Sequence, residues 1–160
     1  CGGCPLRPHC AAYRAGSVER LPRLPARIPA RPVELVAVLA ERRGELLLER
    51  RAEHGRMPGM WQLPTAELPG PDGRRSGLFP PDLPAELEAA LELGRVRHSI
   101  TCHRITLRVC RAAGPIPRSR GARSLAGGGE LAWVPLNEVL ERPLTGMARK
   151  VLRSPILSNA

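Results

Sequence analysis

Val33–Glu41 ("VELVAVLAE") is a near-continuous apolar run with β-branched residues, which predicts a buried strand over 33–41. Arg42, Arg43 and Gly44 supply a turn, and "ELLLERR" (45–51) reads as the hairpin partner of that strand. Residues 55–68 are turn-rich, with a short strand around Trp61–Leu63, and 69–84 form a Pro/Gly-rich loop. Residues 82–94, "DLPAELEAALELG", carry an apolar stripe at Leu87, Ala90 and Leu91. Asp82 suits an N-cap, Pro84 the first turn and Gly94 the stop, so the pattern predicts a helix. "RVRHSITCHRITLRVC" (95–110) alternates and predicts strand, broken near 101–103. A loop over 114–129, a strand over 130–136 and short helices over 137–141 and 144–154 complete the chain.

Strands interleaved with a few helices predict an α+β domain built on a mixed sheet and occupying 33–160. Ahead of it, 14–32 holds four prolines and five arginines and reads as an extended linker. Residues 1–13 hold a cysteine cluster. The 160 residues suit one domain with a short appendage, and at 42% hydrophobic and 2% aromatic the core must be Leu, Val, Ala and Ile. No apolar run is long enough to span a membrane, and the N-terminus lacks the apolar region of a signal peptide. Five cysteines, an odd number with three crowded into ten residues, speak against a disulfide scaffold. A reduced, intracellular setting is expected: cytoplasmic and close to the bacterial nucleoid.

Charge changes the picture. The net charge is +10, and residues 95–128 contribute eight arginines and no acid, whereas 33–94 are net acidic. An even scatter of arginine does not give that division. It leaves a solvated basic face or a phosphate-facing surface, and clustered guanidinium groups favour phosphate.

Cys1, Cys4 and Cys10 have metal-ligand spacing, with two and then five residues between them. Three thiolates are one ligand short of the usual four. The spacing admits a zinc site completed by His9 or His54, or a site whose first ligand precedes Cys1. "CGGCPLRPHC" resembles the last three cysteines of Cys-x6-Cys-x2-Cys-x5-Cys, the pattern that holds the 4Fe–4S cluster of helix-hairpin-helix DNA glycosylases. The Pro/Arg linker and "VELVAVLAERRGELLLERRAEHGRMPGMWQLP", with Gly59, Met60, Trp61 and Pro64, are in turn similar to the passage of MutY-type adenine DNA glycosylases into their C-terminal, Nudix-like domain.

That resemblance implies a Nudix-like mixed sheet flanked by helices, after the end of a cluster segment (1–13) and an interdomain linker (14–32). It implies a 4Fe–4S cluster held in part by Cys1, Cys4 and Cys10. The implied partner is double-stranded DNA containing 8-oxoguanine opposite adenine, bound by a monomer. No catalytic residue is expected here, because that chemistry belongs to the family's helical domain. A Nudix hydrolase would show G-x5-E-x7-R-E-x2-E-E-x-G; this chain has Glu86, Glu88 and Glu92 but neither the Arg–Glu nor the Glu–Glu pair, so they read as a solvated helix face. A stand-alone Nudix hydrolase and a small zinc-containing nucleic-acid module are the rival readings.

In MutY-type enzymes a His-x-Phe-Ser-His loop probes 8-oxoguanine. The matching stretch here is His98, Ser99, Ile100, Thr101, Cys102 and His103: His98 stands for the first His, Ile100 for Phe, Thr101 for Ser and Cys102 for the second His, with His103 one place on. Thr101 keeps the hydroxyl, and Ile100 keeps bulk to wedge beside the base. Arg95, Arg97, Arg104 and Arg108 are expected on the flanking phosphates.

Overall fold

A computed structural model describes residues 1–24, 26, 28–114, 116, 123–125 and 129–156. Its strands are β1 (Arg31–Leu39), β2 (Glu41–Arg42), β3 (Glu45–Arg50), β4 (Trp61–Gln62), β5 (Thr65–Glu67), β6 (Ala89–Ile100), β7 (His103–Ala112), β8 (Arg123–Ser124) and β9 (Glu130–Pro135). The α-helices are α1 (Ala11–Arg14) and α2 (Gly146–Leu152). Much of the loop expected over 114–129 lies outside the described residues.

The strands form two sheets. One has the order β5-β1-β7-β6, the other β2-β3-β9-β8 with β4 also on β3. The first is mixed: β1 runs antiparallel to β5 and parallel to β7, along the whole of β1 from Arg31 to Leu39. Parallel central strands have both faces covered, which is why β1 reads as an unbroken apolar run. Val33, Leu35, Ala37 and Leu39 face the main core with Leu46, Leu48, Ile105, Leu107 and Val109. Val36 and Val38 join smaller clusters on the opposite face with Leu87 and Cys110.

Two sequence expectations change. β3 is not the partner of β1; it pairs with β2, β4 and β9, and the chain crosses between sheets at Ala40. The tight hairpin is β2–β3, where Arg43 and Gly44 both take positive φ (46° and 76°), the geometry of a two-residue turn that glycine favours. The helix expected over 82–94 is replaced by a loop and the first half of β6. Ala, Leu and Glu favour helix, but pairing with β7 overrides that preference. Pro84 begins a turn closed by Leu87 N–H on the Pro84 carbonyl (2.8 Å), not a helix.

α2 packs on both β4 and β6 and so ties the two sheets together. Trp61 anchors it: its N–H donates to the Pro143 carbonyl and its own carbonyl accepts from Thr145 N–H, both at 2.9 Å. The Thr145 hydroxyl then caps the helix by accepting from Ala148 N–H at 3.2 Å.

The long segment between β5 and β6 is held by one carboxylate. Glu67 is 2% exposed and accepts backbone N–H groups from Ser76, Leu78 and Phe79. Burial pushes its pKa up, but these bonds favour the ion more, and the net shift is downward from the usual 4.5. Its contribution to stability is therefore present above pH 4.5 and lost as pH falls through the lowered value. Glu67→Gln places an amide N–H₂ among N–H donors and should cost roughly 1–3 kcal/mol at pH 7. Urea titrations should show that loss shrinking below pH 4.

Candidate nucleic-acid interface

β6 and β7 form a long hairpin closed by Thr101 and Cys102, with Ile100 opposite His103. The break expected near 101–103 is this two-residue turn. Register sorts the hairpin's side chains, because directly opposed residues share a face. Arg95 lies opposite Arg108, Arg97 opposite Thr106 and Ser99 opposite Arg104, so all four expected arginines share the outer face. Val96, His98 and Ile100 lie on the inner face, opposite Leu107, Ile105 and His103.

The hairpin therefore divides the expected contacts. Arg95, Arg97, Ser99 and Arg104 are exposed and Arg108 is half-exposed. Ile100 packs against the main core, so the wedge role expected of it does not fit this placement; its bulk supports the turn from below. His98 is half-buried beside the start of α2, where a methyl on Gly146 would stand 3.7 Å from His98 Cε1. His103 Nδ1 lies 3.8 Å from Cys102 Sγ.

Thr101 is the exposed tip. It is β-branched yet has φ +50°, a region such residues rarely enter. Its hydroxyl donates to the Ile100 carbonyl at 2.7 Å. The turn is pinned from the neighbouring strand, where Arg31 N–H donates to the Cys102 carbonyl at 2.8 Å.

Glu92 belongs to this surface, although the sequence pattern places it on a helix. Its carboxylate accepts from Arg95 Nε at 2.7 Å and Arg108 Nε at 3.0 Å. The Arg95 bond leads in holding the Glu92 carboxyl below its usual range, and Glu92 in turn raises the Arg95 pKa. Arg97 and Arg104 have no hydrogen-bonded or ion-paired side-chain partner among the described residues. The Arg97 carbonyl, on the edge strand, accepts from Lys150 Nζ at 2.7 Å.

Two other groups of expected ligands are dispersed. Cys1 and Cys4 are exposed and Cys10 is half-buried. Among the described residues, no three His, Cys, Asp or Glu side chains stand together so as to hold a metal ion. The three cysteines alone do not form a closed cluster site. Glu86 lies in a turn, Glu88 just before β6 and Glu92 within it, so no single helix gathers these acids for a divalent cation.

A cavity of about 500 Å³ opens elsewhere, lined in part by Glu49, Arg51, His54, Thr65, Asp82 and Glu86. Sequence reading missed it. The only signal is a glutamate inside the apolar run of β3. Glu49 is 7% exposed, and burial raises its pKa against the opposing bond from Thr65 N–H and the field of Arg51. Ionised Glu49 thus costs folding stability at neutral pH, and that cost fades as pH falls through the raised value towards 4.5. Glu49→Gln should be more stable than the parent at pH 7 and match it near pH 4, as read by urea unfolding.

A family model described as NUDIX domain matches residues 35–154. The fold is similar to that of a MutT protein from Methanosarcina mazei Go1 (TM-score 0.59, 22% identity, covering 78% of this chain and 93% of that one). It is also similar to the E. coli ORF135 protein in solution (TM-score 0.56, 21% identity, 82% and 93% covered). A fainter similarity is to the C-terminal domain of mouse MUTYH, solved in complex with human PCNA (TM-score 0.49, 18% identity, 79% and 88% covered).

Proposed function

Within the NUDIX domain family, to which this chain belongs, we propose that it is the lesion-recognition portion of an adenine DNA glycosylase. That enzyme would remove adenine mispaired with 8-oxoguanine in base-excision repair. The observation that carries the reading is the tip of the β6–β7 hairpin. Thr101 is held exposed at φ +50° with its proton committed to the Ile100 carbonyl. Its oxygen is left facing outward as an acceptor. Guanine presents N7 as an acceptor, whereas oxidation at C8 turns N7 into an N–H donor. An acceptor at this point attracts the oxidised base and repels the normal one.

The arginine face beside the tip supports the same reading, because phosphate contacts position a duplex and base contacts specify it. Cleavage of the glycosidic bond is assigned to no residue of this chain. Cys1, Cys4 and Cys10 are assigned to a 4Fe–4S cluster that needs a fourth ligand from outside these residues. The dispersed acids disfavour nucleotide hydrolysis. Mg²⁺-dependent release of pyrophosphate or phosphate from a nucleoside triphosphate would overturn the proposal in favour of a hydrolase.

Binding of 8-oxoguanine:adenine and guanine:adenine duplexes tests the tip directly. Thr101→Ala should reduce the discrimination between them by roughly 1–3 kcal/mol. Thr101→Gly should lose it equally while the fold stays about as stable, since relief of ~1–2 kcal/mol of left-handed strain offsets glycine's unfolded-state entropy. Equal binding of both duplexes by the parent chain would sink the reading. The chain by itself should release no adenine from the mispaired duplex.

A further inference from the structure

We propose that Glu92 acts as an internal substitute for a DNA phosphate, holding Arg95 and Arg108 out of non-specific contacts and thereby sharpening the selectivity of the hairpin. The inference rests on the duplex-binding reading of this face and goes beyond it.

The argument begins with register. In unbroken alternation Glu92 would share the inner face with Val96, four residues on. It does not, because β6 is bulged: Glu92 pairs with Cys110 and Gly94 with Val109, so two steps on β6 meet one step on β7. A bulge re-aims the side chains beyond it. Here it turns Glu92 onto the face of Arg95 and Arg108. Leu93 packs inward, and Gly94 keeps the crossing close, since a methyl there would meet Ile156 Cγ1 at 2.9 Å.

The carboxylate then meets both guanidinium groups. Arg95 donates through Nε at 2.7 Å and Nη2 at 3.4 Å, and Arg108 through Nε at 3.0 Å. Two cations around one anion match what a phosphate oxygen pair would engage. Arg95 and Arg108 are directly opposed and would otherwise repel each other. Arg97 and Arg104, nearer the tip, are left available for phosphate. The face thus has two available cations beside the lesion-reading turn and two held in reserve further along.

The test measures binding of the whole chain to a short undamaged duplex over a range of salt concentrations. Glu92→Gln should tighten binding about ten-fold at low salt and steepen the log K–log salt slope by roughly 0.9–1.8, as one or two more phosphates are engaged. Discrimination in favour of the 8-oxoguanine duplex should fall correspondingly. Glu34→Gln is the control for net charge, since Glu34 lies opposite Thr106 on the same face without a bond to either arginine. An effect of Glu34→Gln as large as that of Glu92→Gln overturns the proposal. A second comparison holds even if Glu92→Gln misfolds. With Glu92 intact, Arg95→Ala/Arg108→Ala should change non-specific affinity less than about two-fold, while Arg97→Ala/Arg104→Ala should cost about ten-fold. Equal losses in the two double variants overturn the clamp and leave the duplex face standing. No loss in either, with salt-insensitive binding, removes the duplex face itself.

Discussion

The parallel pairing of β1 with β7 is the constraint on which the rest depends. It joins residues some seventy positions apart, so it is the costly long-range step of this topology. It also fixes parity. A slip of one residue would turn Val33, Leu35 and Ala37 away from the main core and bring Glu34 into it. Once β7 is set, β6 follows by hairpin pairing, and the assignment of arginines outward and His98 and Ile100 inward follows from β6. The ladder even reaches the tip, where Arg31 N–H holds the Cys102 carbonyl. The lesion-reading turn is thus built at the end of the most constrained pairing in the molecule, which is how a strained Thr101 can be kept in place.

The parts of this fold legible in the sequence are those in which local pattern and tertiary pairing agree. The alternation of 95–110, the break at Thr101–Cys102, the apolar runs of β1 and β3 and the capped α2 all satisfy both. Residues 82–94 do not. Ala89, Ala90, Leu91 and Glu92 favour helix locally, and only the register with β7 makes them strand. The bulge that accommodates this mismatch leaves Leu91 exposed at 62% and turns Glu92 outward. No periodicity in one chain reveals a bulge, so Glu92's partnership with Arg95 and Arg108 was invisible. β1 and β3 misled for a related reason: adjacent apolar runs joined by a turn suggest a hairpin, but an apolar run covered on both faces fits either sheet.

Three glutamates show how position decides the work of a carboxylate. Glu67 is buried among N–H donors, and its charge fastens the segment between β5 and β6. Glu49 is buried with fewer compensating bonds, so burial prevails and charge is a cost. Glu92 lies at the surface, where its charge is spent on two arginines. These acids come from the net acidic middle of the chain, and two of the three meet their main partners within the fold. The arginine excess of 95–128 is only partly offset, and the part left over is beside the turn.

The same distribution bears on which chemistry the domain can perform. Hydrolysis of a pyrophosphate at a divalent cation needs several carboxylates brought to one point by a rigid element. Here the segment from Leu68 to Glu88 contains no helix, and Glu92 has been carried by the bulge into an arginine clamp. Restoring a metal site would require undoing the β6–β7 pairing that builds the hairpin, because residues 89–92 cannot be helix and strand at once. Lengthening β6 and dispersing the acids are therefore one structural event. A domain that extends this hairpin towards a duplex gives up, by the same rearrangement, the carboxylate helix of a hydrolase.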